Sequence, residues 1–320
     1  MRIALAILVI AAACFANLKF SPHHTGSSVF ETLYMHLMPA PLVTDNHVPH
    51  EEQELLLPVA LPGFLSFMDI GWHGGADAAG HTPEGHAPQT ALFNLQIFQV
   101  AAVLLVLLCF SGVPKYLRTG KGDQLTRLFA GFAMWVRDDM VYPVMGSKDG
   151  TRFLPFFLSV FFFILFMNLM GLVPGSATPT ASIFVTLALA TITLISMVAG
   201  GMISQGPIKF WLNLVPHVPL PLWPLLFVVE VLGLFVKPFA LTIRLFANMS
   251  GGHMVVLSFM GLIFFFPTLW GTTGGWAASP LGAGFAIFIM IIEVFVAMVQ
   301  AFIFTQLSVI FIHQSIHPEH

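Results

Sequence analysis

The sequence predicts an all-α integral membrane protein with about five membrane helices, one amphipathic interfacial helix and a closing helical hairpin that lies obliquely in the bilayer. Three observations predict it. Only 8% of the 320 residues are charged while 57% are hydrophobic, with 33 Phe; soluble domains carry about a quarter charged residues. From residue 90 onward, apolar runs near twenty residues long follow one another, the length that crosses a hydrocarbon core. The last two apolar segments run far beyond that length. The net charge of -3 argues against nucleic acid as a partner. The two cysteines, Cys14 and Cys109, both lie in apolar runs, which provides neither metal-ligand spacing nor a disulfide framework. Neither a cofactor nor a metal is expected.

Residues 1–16 carry one early arginine, an apolar core of about a dozen residues and then small residues near Ala13 and Ala16. That order resembles a secretory signal peptide more than a full span, with an uncleaved N-terminal anchor as the alternative. Residues 17–89 form a polar, proline-containing arm that holds eight of the thirteen histidines. A solvated arm is the plainer reading; metal capture is the other, although the histidine spacing is irregular.

The membrane domain is assigned to 90–320. Its first span is 93–113. Residues 114–152 then carry Lys115, Arg118, Lys121, Arg127, Arg137, Lys148 and Arg152, seven of the twelve basic residues. By the positive-inside rule this loop is cytoplasmic and the N-terminal arm is outside. Leu125, Leu128, Phe129, Phe132 and Trp135 recur at helical spacing, which predicts an interfacial amphipathic helix. Residues 153–175 cross outward and 181–201 cross inward. Residues 206–224 form a proline-punctuated connector.

The closing hairpin occupies 222–316. From Pro224 to Phe266 there are 43 residues without a strong stop, roughly 64 Å of helix against a hydrocarbon core of about 30 Å. Pro280 to Ile316 adds 37 residues, about 55 Å. Either both segments bend, at Pro238 and Gly251-Gly252 in the first, or they lie steeply oblique. An oblique hairpin would suit wrapping around a cylindrical partner.

Between 210 and 312 the charged residues are Glu230, Lys237, Arg244 and Glu293. The first three are spaced by seven, and a step of seven turns the side chain only about 20°. They form one narrow stripe, with Asn248 close to the same face and His253 on the opposite one. Glu293 and Gln300 repeat the seven-residue step on the last helix. A structural ion pair, for instance Arg244 with Glu293, is one reading. A stripe of titratable groups through a membrane is more often an ion path. Glu230 lies about 21 Å along the helix on one side of Arg244, and His253 about 13 Å on the other. Glutamate and histidine can exchange protons, whereas arginine effectively never gives one up. Proton carriers flanking a permanent cation describe two half-paths separated by an electrostatic plug.

KPFALTIRLFANMSGGH together with EVFVAMVQAFIFTQL resembles subunit a of the rotary F-type ATP synthase, from about residue 90 to the end. The resemblance implies a proton-translocating stator subunit that makes no covalent bond itself. It implies two offset half-channels serving a carboxylate on each subunit of a c-ring, so that proton flow is coupled to rotation. Carried over residue by residue, Arg244 matches the essential arginine facing that carboxylate and Asn248 its motif neighbour. Lys237 falls in the Glu-x6-Lys-x6-Arg stripe. His253 stands where many bacterial members have Glu, and Glu293 where those members have His, an exchange also seen in mitochondrial relatives. Gln300 matches a family glutamine, and Glu230 an acid of the cytoplasmic half-channel. The implied partners are the c-ring, the peripheral-stalk b subunits, the lipid bilayer and the transported proton. The implied location is a bacterial inner (plasma) membrane rather than a mitochondrial one, with the N-terminus outside and the C-terminus cytoplasmic. The rival reading is a stand-alone cation or metal transporter that uses the histidine-rich arm as its collector.

Overall fold

The computed structural model describes residues 2–21, 39–44, 55–56, 58–60, 89–173, 176–215 and 221–318. Most of the histidine-rich arm lies outside these residues, as does 216–220 of the connector. Helices dominate: α1 (Arg2–Phe20), α2 (Asn94–Phe110), α3 (Val113–Thr119), α4 (Gln124–Trp135), α5 (Tyr142–Gly171), α6 (Ile183–Gln205) and α7 (Pro207–Leu212). They are followed by the two hairpin arms, α8 (Trp223–Gly271) and α9 (Ser279–Ile316). Among the described residues, six helical stretches are long and apolar enough to cross a membrane. That is one more than the five spans expected, because Arg2–Phe20 qualifies.

α1 docks on α2. Ala13 is buried, with Ala6, Val9, Ile10 and Cys14 packed on the same core as Leu95, Phe98, Ala101, Ala102 and Leu105 of α2. The two helices run antiparallel. Arg2 Nη1 donates to Thr126 Oγ1 of α4 at 2.7 Å, and at the far end Val43 N donates to Phe20 O at 2.8 Å. The start of α2 is tied to the arm there too, since Asn94 N donates to Ala40 O at 2.9 Å and Asn94 Oδ1 accepts from Ala40 N at 3.2 Å. Two short strands, β1 (Pro58–Ala60) and β2 (Gln89–Ala91), pair antiparallel at that end. Arg2 therefore shares the side of α4, and the arm takes the opposite side.

The interfacial helix and the next span are not separate units. α4 passes through a π-helical turn, Val136–Val141, directly into α5. Inside α5, Gly146 takes φ 71°, a left-handed conformation open to glycine, and this bend re-aims the chain before the apolar run 153–171. α4 is amphipathic: Thr126 and Ala130 are buried while Arg127 and Leu128 are exposed. Phe129 packs edge-on to Phe110 at 5.8 Å, and Phe110 to Phe162 at 4.7 Å, so α2, α4 and α5 share one aromatic cluster.

The closing hairpin is unbroken within each arm. Pro238 and Gly251-Gly252 do not interrupt α8, whose backbone stays helical there; the break falls at Trp270 and Gly271, where Gly271 takes φ 68°. At 49 residues α8 is roughly 74 Å long, so it cannot stand upright in a core of about 30 Å. The arms pair closely. Phe259 stacks on Phe285 at 5.1 Å, and a Cβ on Gly282 would lie 3.0 Å from Phe259 O. α9 is also pinned to α5, where buried Asn168 donates through Nδ2 to Ala297 O at 3.3 Å. At its other end Ser315 Oγ donates to Met197 O of α6 at 2.7 Å.

Candidate functional site

Arg244 and Asn248 are both exposed on α8. Beside them on the same face of α8, small residues stand exposed: Ala240, Ala247 and Gly251. An arginine at the centre of an apolar, unpartnered face is costly in lipid. Among the described residues the ion pairs are Arg137–Asp138 and His317–Asp149. Neither includes Arg244, so the intramolecular pair with Glu293 is not formed.

Toward the Trp223 end, Glu230 and Lys237 face a polar cavity of about 240 Å³, which Gln205, Asn213, Gln314 and His317 also line. Lys237 Nζ donates to Gln314 Oε1 at 3.3 Å and sits 5.4 Å from the Phe311 ring centre. Asn213 Nδ2 donates to Gln205 Oε1 at 3.0 Å, and Gln205 Nε2 to Ser315 O at 2.8 Å. The stripe of three charges thus divides: two line a polar cavity and the third stands on the open face.

Toward the hairpin tip the chemistry changes. Glu293 and Gln300 are both buried, each 6% exposed. Neither carboxylate oxygen of Glu293 meets a donor among the described residues. The carboxylate lies against Gly252, where any Cβ would collide with it. His253, the next residue, turns away from the Arg244 face as its nine-residue offset requires. Its Nε2 is 2.8 Å from Thr178 Oγ1, on the connector between α5 and α6. No direct ion pair joins His253 to Glu293; they occupy neighbouring positions across the hairpin. Ser250 Oγ donates to Ala181 O of the same connector at 3.1 Å. Thr180 is fully buried, and its hydroxyl has no partner among the described residues.

Thr178, Thr180, Asn168 and Gln314 are the polar groups that the sequence reading missed. Asn168 interrupts the apolar run FILFMNLMG and carried a usable signal, because a buried amide in a span needs a partner. The connector threonines gave none, since nothing in their spacing points to a helix seventy-five residues away.

Fold and site together define a multi-pass helical membrane protein with titratable and polar groups set along a hairpin of two overlong helices. The chain belongs to the ATP synthase A chain family, whose model matches residues 96–313 and so takes in all seven hairpin positions named above. It is 40% identical over 248 residues to the ATP synthase subunit a of Anaeromyxobacter sp. (strain Fw109-5), covering 74% of this chain and 59% of that relative. It is 40% identical over 225 residues to the ATP synthase subunit a of Myxococcus xanthus (strain DK1622), covering 69% and 71%. The ATP synthase subunit a of Chloroherpeton thalassium is 39% identical over 225 residues, covering 69% and 65%.

Proposed function

We propose that the chain is the proton-translocating stator subunit a of a bacterial F-type ATP synthase. In this reading it lies in the inner membrane with α4, Arg2 and the C-terminus on the cytoplasmic side and the arm outside. One observation carries the reading: Arg244 has no ion-pair partner among the described residues and stands on an apolar helix face, flanked on one side by the Glu230–Lys237 cavity and on the other by His253 and Glu293. Its counter-charge then comes from outside the chain, from a carboxylate on each c subunit as it passes. The apolar side chains around it, together with Asn248, form the surface on which the ring turns, and b subunits brace the assembly.

The two flanking sites are the half-paths. His253 and Glu293 serve the outer one and Glu230 the cytoplasmic one. Arg244 favours the ionised ring carboxylate and, as a permanent cation, blocks direct passage between the halves. A proton reaches the other side only by riding the ring. The chain makes and breaks no covalent bond.

The test uses vesicles holding equal amounts of assembled complex. Arg244→Ala, Arg244→Gln and Arg244→Lys should each abolish proton-driven ATP synthesis, because a lysine desolvated there can release its proton. A purely structural arginine would instead lower assembly, with Lys the mildest change. Normal coupled synthesis by fully assembled Arg244→Ala would end this reading.

A further inference from the structure

We propose that Thr178 is a positioning residue for His253, holding the imidazole through its Nε2 in both of the ring's charge states. The inference rests on the outer half-path assigned above. Thr178 Oγ1 lies 2.8 Å from His253 Nε2 and also donates to Gly171 O at 3.4 Å. A hydroxyl has one proton to give and lone pairs to receive. When His253 carries two ring protons, Thr178 accepts from Nε2–H and turns its own proton to Gly171 O. When Nε2 is bare, Thr178 donates to it instead. The second seat for the proton, at the end of α5, lets the hydrogen bond survive the change.

The site is built for this contact. Thr178 is 7% exposed. A Cβ on Gly171 would lie 2.6 Å from Thr178 Cγ2, so glycine there lets the threonine approach the helix end. Ser250, three residues before His253, anchors the same connector through Ala181 O. Glu293, against the neighbouring Gly252, is the titratable group that the facing arm brings. Among the described residues, the connector and the helix ends beside it bring neutral polar groups: Asn168 from α5, Thr180, and Ser182 before α6.

A hydrogen bond to a charged group is stronger than one between neutral groups. Loss of the hydroxyl therefore penalises the doubly protonated ring more. The experiment measures outer-side proton flux against pH in vesicles with equal assembled complex. Thr178→Val keeps the shape and removes the hydroxyl; it should cut flux near neutral pH about tenfold and move the profile about one pH unit to the acid side. Thr178→Ser should stay within about twofold of the parent at every pH. A Thr178→Val profile matching the parent, or a Thr178→Ser profile matching Thr178→Val, overturns the inference. Arg244→Ala measured alongside separates the two proposals. If it abolishes coupled synthesis while Thr178→Val is normal, the positioning role alone falls; if it leaves synthesis intact, the stator reading falls with it.

Discussion

Gly252 shows how closely single residues set this site. Alanine is favoured over glycine in a helix by about 1 kcal/mol, so propensity alone would make Gly252→Ala stabilising. The Cβ would instead run into the buried Glu293 carboxylate, so the glutamate side chain must leave the position it holds. Gly252→Ala should lower proton flux severalfold at equal assembly. Glu293→Asp, one methylene shorter, should be impaired alone yet partly restore flux beside Gly252→Ala, a non-additive result expected only of residues in contact. Strict additivity would place the carboxylate elsewhere. Much at this scale was legible in the sequence. A four-residue step keeps Arg244 and Asn248 close to one face, and nine residues put His253 on the other. Spacing could not say what each face meets. It grouped Lys237 with Arg244, while the fold gives Lys237 to Gln314 on α9, because a helix period fixes direction and tertiary pairing chooses the neighbour.

Among the elements, the hairpin follows from chain length and the interfacial segment does not. A run too long for the bilayer must lean or break, and the arms lean, with the break at Trp270–Gly271 a few residues beyond the apolar stretch ending at Phe266. Pro238 is absorbed without a break in the helix. Its missing donor is the known cost of an interior proline, and Thr242 Oγ1 donates back to Pro238 O at 3.0 Å, a side-chain bond of the kind found in apolar helices. The π-turn at Val136–Val141 and the bend at Gly146 carry no periodic signal, so the sequence reads a loop followed by a span where one folded stretch exists. The arm pairing is testable. Cysteines replacing Phe259 and Phe285, in a chain lacking Cys14 and Cys109, should be bridged within one chain by a short bifunctional maleimide, since the rings they replace are stacked. Bridging only between chains, or none, would mean that the arms do not close on each other.

At the scale of the whole molecule, the lean of α8 bears on what would separate the two proposed half-paths. Even if the arm used all of the roughly 45 Å of bilayer including headgroups, a helix of about 74 Å must tilt some 50° from the normal. Glu230 and His253 are 23 residues apart, roughly 35 Å along the helix. At that tilt the separation resolves into about 21 Å of depth and about 27 Å in the membrane plane. An upright helix would stack the two sites, and a proton could pass down a single file of water. An oblique one sets them side by side, so the transfer between them needs a carrier that moves laterally, with Arg244 on the line between. If so, Arg244→Ala should do more than abolish coupling: it should open a passive proton leak through assembled complex, visible as decay of an imposed pH gradient. That leak should still need the outer site, because removing the plug creates no new path to it. Adding His253→Ala to Arg244→Ala should therefore cut the leak severalfold, and adding Glu230→Gln should cut it from the cytoplasmic end. A leak indifferent to both second changes would run around the hairpin rather than along it, and the lateral arrangement of half-paths derived from the tilt would be wrong.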